Sequence, residues 1–318
     1  FKPKTKEELR KAIEEYCEND DKSKGNINDW DVSLITDMSE LFFCCWNSIN
    51  CNKKMHQFNQ PINNWNVSKV GDMTCMFYNC KEFNQSINNW NVSKVINMSH
   101  MFYRCDKFNQ QLNNWNVSNV TNMSCMFYCC EQFNQSINNW DVSNVTNMSC
   151  MFSICNKFNQ PINNWNVSNV ANMSYMFRHC DVFNQPINNW DVSNVTNMSY
   201  MFHGCSKFNQ SINNWNVSNV TNMSYMFYEC KELSETYREQ FYMTNIEKKN
   251  KYTLYGLAED MSIIKIYYIT EDKEFIMNNI NDDNKIKITN FIKNKREDIC
   301  ELCYLQMDCV NNICALCS

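Results

Sequence analysis

The chain has 318 residues, a hydrophobic fraction of 44% and a net charge of −5 at pH 7, enough apolar material to build a sizeable core. The acidic balance, with no basic stripe, argues against nucleic-acid binding, and no apolar run approaches the ~18–20 residues of a membrane span. The chain opens at Phe1 rather than Met, so any signal peptide or lipid anchor would lie upstream.

Residues 1–25 predict an N-terminal helical cap. Thr5 and Glu8 have the spacing of a capping box. Leu9, Ala12, Ile13 and Tyr16 then recur at helical spacing on one apolar face. Residues 26–45 read as a degenerate first coil, with Trp30, Val32, Met38, Phe42 and Cys45 in the columns of later copies. Residues 46–57, including Trp46, Cys51 and His56, read as an insertion and thus as a loop on one face.

From Phe58 one 25-residue sentence is written seven times, to residue 232. Its Trp falls at Trp65, Trp90, Trp115, Trp140, Trp165, Trp190 and Trp215. A fixed period of this length marks a stacked-repeat architecture, in which one coil cannot bury its apolar face alone. Within a coil, Phe208, Gln210 and Ile212 alternate with polar residues and predict a short strand. Val220, Met223, Met226, Phe227 and Cys230 predict one face of a short helix or 3₁₀ turn. The expected fold is therefore an α/β repeat solenoid of short parallel strands and short helical turns. The Asn59-to-Asn209, Asn63-to-Asn213 and Asn64-to-Asn214 columns predict amide ladders from coil to coil. The Cys column Cys80, Cys105, Cys130, Cys155, Cys180, Cys205 and Cys230 reads as small buried hydrophobes rather than a disulfide framework.

After residue 232 the repeat vocabulary stops, and 233–318 reads as a C-terminal cap or small α+β domain. Residues 235–247 are a candidate helix, and 262–270, rich in β-branched and aromatic residues, a candidate strand. The tail carries Cys300, Cys303, Cys314 and Cys317 as two C-x-x-C pairs, with Cys309 between them. Four thiolates in that pattern could hold zinc tetrahedrally; disulfides and unliganded thiols are the other readings. No cofactor is expected in the solenoid itself.

A few columns of the coil vary, and two of them on the helical turn point outward if the Met, Phe and Cys positions point in. They read His100/Tyr103, Cys125/Tyr128, Tyr175/Arg178, Tyr200/His203 and Tyr225/Tyr228. On a helix, i and i+3 are neighbours, so these side chains would form one strip. Tyr and Arg are favoured anchors of protein interfaces, which makes the strip a candidate partner-binding surface. Catalysis has no comparable signal: the four His fall in no nucleophile or metal motif, and four scattered Gly form no phosphate-binding loop.

The coil text I-x-x-W-x-V-S-x-V-T-x-M-S-x-M-F-x-x-C-x-x-F, with FKPKTKEELRKAI before the first coil, resembles the BspA-like leucine-rich-repeat surface proteins. The likeness is to their 25–26-residue form, found in mycoplasma-type lipoproteins and related bacterial, protist and large-virus proteins, and it covers roughly residues 1–232. It implies a leucine-rich-repeat-like, right-handed coil, no enzymatic activity, a cell-surface or secreted location, and a role in adhesion or host interaction with a protein partner. The alternative expectation is an intracellular, perhaps viral, scaffold or adaptor whose zinc-binding tail recruits a second partner.

Overall fold

The computed structural model describes residues 1–19, 22–43, 55–238 and 241, and the backbone of 253–257 and 263–267. Helix α1, Lys6–Asn19, opens the chain. Thr5 Oγ1 accepts the Glu8 N–H at 3.2 Å, while the Glu8 carboxylate accepts the Lys4 N–H at 2.8 Å. The capping box is thus half-made, its carboxylate shifted by one residue. Leu9, Ala12 and Ile13 are buried and begin the single apolar core, which runs unbroken to Phe241. Lys6 pairs with Asp37 at 3.0 Å, and Arg10 Nη1 donates to the Glu40 carbonyl at 2.9 Å, tying α1 to the first coil.

The coils stack in register. Parallel bridges join Asp37 to Asp72, Asp72 to Asn97, and so on by steps of 25 to Asn197 and Asn222. Phe, Ile or Leu, Trp, Val, Met and Cys of every coil are buried. Their polar atoms find partners one coil back. Trp140 Nε1 donates to the Leu112 carbonyl at 3.0 Å, and the other repeat Trp side chains do the same in their coils. Each column Cys donates its S–H to a Phe carbonyl, as Cys155 does to Phe127 at 2.9 Å. A buried polar atom without such a partner would cost about 1–3 kcal/mol.

Two local expectations are overturned. The 208–212 segment, expected as a strand, forms no strand pairing. The 220–230 segment, expected as a helix, is a train of turns. Met76 N–H bonds to Met73 O, Tyr78 to Cys75 O and Cys80 to Phe77 O, while the intervening N–H groups of Met73, Cys75, Phe77 and Asn79 donate to the next coil at 2.6–3.0 Å. Donors alternate along the segment, one closing a turn and the next joining coils. The spacing 3, 3, 1, 3 of apolar residues arises from this alternation, not from a helical face. The geometry requires a left-handed residue twice per coil, at Cys75 and Asn79 and their equivalents, both of which have positive φ. Only Gly204 supplies a glycine for one of these positions.

The expected amide-to-amide ladder is made from Asn88 Nδ2 to Asn113 Oδ1 at 3.1 Å and from Asn28 Nδ2 to Asn63 Oδ1 at 3.3 Å, but the Asn59 column takes a different form. Asn134 Oδ1 accepts the main-chain N–H of Asn159 at 3.0 Å and Gln160 Nε2 at 3.1 Å. The same pattern holds from Asn59 to Asn184. The bond runs from side chain to backbone because this non-strand segment has no neighbouring carbonyl to receive its N–H. The Asn63 and Asn64 columns alternate between coils: Asn88 Oδ1 takes the Asn114 N–H, whereas Asn139 Nδ2 reaches the Asn113 carbonyl.

The far end of the stack is closed as soon as the repeat stops. A helical turn at 235–238 leads to Phe241, whose ring meets Trp215 and Phe227 edge-on at 6.5 and 5.8 Å. Arg238, also buried, donates to the Cys230 carbonyl at 2.8 Å. Beyond it, β1, Thr253–Leu257, pairs antiparallel with β2, Ile263–Tyr267, inside the stretch read as a strand. The Cys300, Cys303, Cys314 and Cys317 positions lie outside the described residues, as does most of the 46–57 insertion. Of that insertion Met55–Gln57 forms a 3₁₀ turn, with Met55 buried and His56 Nδ1 at 2.7 Å from the Asn79 carbonyl.

Asn134→Ala should lower stability by about 1–2 kcal/mol, because it strips one coil junction of two bonds. Asn134→Asp keeps the accepting oxygen and should lose less. Urea midpoints of the two variants test this; equal loss would remove the carbonyl from its role.

Candidate functional site

The variable columns lie on the train of turns, half-buried, each ring packed on its equivalent one coil away. Tyr78, Tyr103 and Tyr128 stack at centroid separations of 4.5 Å with planes 1–4° apart. Tyr175, Tyr200 and Tyr225 stack in the neighbouring column at 4.7 and 4.9 Å. His203 stacks on Tyr228 at 4.9 Å. Across the columns, His100 meets Tyr103 at 5.7 Å, Tyr200 meets His203 at 5.5 Å and Tyr225 meets Tyr228 at 6.0 Å. The residues named from sequence are therefore neighbours, although a turn and not a helix brings i and i+3 together.

Equivalent rings are 4.5–4.9 Å apart on the turn face. In the two core Phe columns they are 5.6–5.7 Å and 6.0–6.1 Å apart, and in the Trp column 6.3–6.4 Å. The turn face is thus where equivalent side chains of successive coils lie closest together. The aromatic load crosses from one column to the other at mid-stack, where Cys125, Cys150 and Ser153 stand in place of rings.

Sequence reasoning missed three members. Tyr78 heads the Tyr103 column, and Phe43 packs on it at 4.8 Å. His179 lies one residue outside the two columns and meets His203 edge-on at 5.1 Å. The signal for Tyr78 was present in the period. His179 had none, since it depends on a left-handed backbone and on Gly204, where any Cβ would overlap the His179 ring.

Burial shapes the chemistry of the strip. It pushes the Tyr103 hydroxyl well above its usual range, with Tyr78 and Tyr128 acting the same way. It draws His203 below 6.5, aided by His179 and Arg178, and His179 down likewise. The strip is therefore neutral apart from its Arg side chains near pH 7. On another face, a shallow groove of about 410 Å³ is lined by amides such as Gln111, Asn113, Gln135 and Asn138. Among the described residues no group of three or more His, Cys, Asp or Glu is placed to hold a metal ion, and no helix is long and apolar enough to cross a membrane.

The repeat, the later part of the cap before it and the closing turn after it fall within one family profile, which matches residues 11–50, 46–163 and 130–241. The chain belongs to the family described as mycoplasma protein of unknown function, DUF285. No curated protein and no solved structure matches it. In this DUF285 chain the matched residues include every member of the aromatic strip and stop at Phe241, where the core is closed.

The imidazoles make a pH prediction. A His held below its unfolded value binds fewer protons folded than unfolded, so its stabilising contribution is complete above about 6.5 and is lost as pH falls toward the folded value. His203 Nδ1 is buried without a hydrogen-bond partner among the described residues, so charging it is costly. The urea midpoint should fall between about pH 7.5 and about pH 5.5, and His203→Gln should flatten part of that slope. An unchanged slope would show that His203 does not titrate in this window.

Proposed function

We propose that this chain is a non-enzymatic protein-interaction solenoid, leucine-rich-repeat-like and right-handed, that binds a protein partner along its turn face in adhesion or host interaction at a cell surface. The observation that carries the reading is the aromatic strip. Its rings are spaced by the coil repeat, already ordered by stacking, and gathered on one face of the stack. Repeat stacks present extended binding surfaces of this kind. Rigid aromatic rings supply contact area at low entropic cost, and Tyr and Arg are common interface anchors. Membership of a mycoplasma repeat family and the resemblance to BspA-like surface proteins support the cell-surface setting.

The strip also explains the distribution of variation within the chain. Core columns are filled with the same residue in coil after coil, because each must pack on its own kind. The column from Cys75 to Tyr225 and the column from Tyr78 to Tyr228 change identity along the stack. Sequence information specific to a partner has room in such variable columns.

Replacing Tyr175, Tyr200 and Tyr225 together by Ala should weaken binding of a retained host-surface protein by about 30-fold or more. Circular dichroism and the unfolding midpoint report whether the stack is kept. Unchanged affinity in the folded triple variant would overturn the assignment of this face.

A further inference from the structure

The coils carry two populations of thiol. The column from Cys80 to Cys230 is buried, and each S–H is donated to a carbonyl of the preceding coil. Burial pushes the Cys230 thiol pKa up to about 12. These thiols are structural and protonated. Cys75, Cys125, Cys129 and Cys150 are half-buried instead, on the turn face.

Cys125 and Cys150 are one period apart on adjacent coils. The Cys125 N–H donates to Ser149 O at 2.8 Å and the Phe127 N–H to Met151 O at 2.9 Å, which sets the two cysteines in register. In the same column the rings of Tyr175 and Tyr200 lie 4.7 Å apart. In-register parallel backbones about 4.8 Å apart fall inside the roughly 4.4–6.8 Å Cα separation that a disulfide spans. The environment also divides the pair. A hydrogen bond from Cys125 draws the Cys150 thiol below its usual range, against burial and with help from the Arg178 charge. The same contact and burial push Cys125 up. Cys75 and Cys129, on the same face, are pushed up to about 11, mainly by burial.

We propose that Cys125 and Cys150 form a peroxide-reactive dithiol, with Cys150 the attacking thiolate and Cys125 the resolving thiol. The Cys150 sulfur attacks one oxygen of hydrogen peroxide. The O–O bond breaks, hydroxide leaves, and Cys150 becomes a sulfenic acid. The Cys125 sulfur then attacks that sulfur, the S–O bond breaks, and the Cys125 proton leaves with the oxygen as water. Each sulfur gives up one electron, and the peroxide takes both. The product is an inter-coil disulfide at the point where the aromatic strip changes column. A more acidic thiol beside a resolving thiol is the arrangement that favours reversible oxidation over further damage.

The test uses the full chain, reduced, then exposed to hydrogen peroxide and quenched with an alkylating agent at intervals. Peptide mapping reads each cysteine separately. The expected result is a Cys125–Cys150 disulfide, reversed by dithiothreitol, forming at least about tenfold faster than thiol is lost at Cys75 or Cys129, the ratio that one unit of thiol acidity provides. Cys125→Ser keeps a hydrogen-bond donor and should leave Cys150 as a sulfenic acid that dimedone traps. Cys150→Ser should leave Cys125 reduced on the same timescale. Both positions are half-exposed, and circular dichroism confirms that the variants fold. Oxidation of Cys150 no faster than Cys75, or no dimedone adduct on Cys150 in folded Cys125→Ser, would overturn the proposal.

Discussion

The structure depends on one constraint: each coil must give its backbone polar groups to the coil 25 residues away. A single coil has few donors that can pair within itself, and an unpaired buried N–H costs more than most side-chain contacts return. Three devices meet the demand. The turn segment uses alternate main-chain N–H groups, the FNQ segment borrows an Asn carbonyl, and the core uses the indole N–H of Trp and the S–H of Cys. Registration follows, because a shift of one residue would break all three at once.

That constraint also explains why so few residue types fill the coil. Trp and Cys are apolar bodies with a single donor, suited to a buried site that offers one carbonyl. Asn is short enough to reach the next backbone and has an oxygen that accepts from two donors, as Asn134 does. The ends need different solutions. Helix α1 covers the first coil with Leu9, Ala12 and Ile13, and Phe241 with Arg238 closes the last. A stack left open would expose both apolar core and unpaired backbone.

The candidate surface is a by-product of the same stacking. Equivalent rings are closer together on the turn face than in the Trp column, so the outward side chains of the turns form a closely stacked row. There Tyr pairs stack, His203 loses its proton readily, and Cys150 is held apart from its more protonated neighbours. Neutral aromatic rings with isolated Arg side chains make a surface that recognises shape and apolar area more than charge.

The sequence by itself determined the period, the coil count, the core columns and the columns that vary, because burial selects residue type and the selection is repeated every 25 residues. It also placed His100, Tyr103, Tyr175, Arg178, Tyr200, His203, Tyr225 and Tyr228 on one face, since that conclusion needed only the inward direction of Met, Phe and Cys. The tertiary structure decided the rest. Apolar spacing does not record the sign of φ, so left-handed residues at Cys75 and Asn79 turned an expected helix into a train of turns. Spacing does not say which acceptor a main-chain N–H will find, so the strand expected at 208–212 became a segment held by Asn side chains. Nor does it say how closely equivalent side chains will stack, which the packing of the turns set at 4.5 Å for the Tyr column against 6.4 Å for the Trp column.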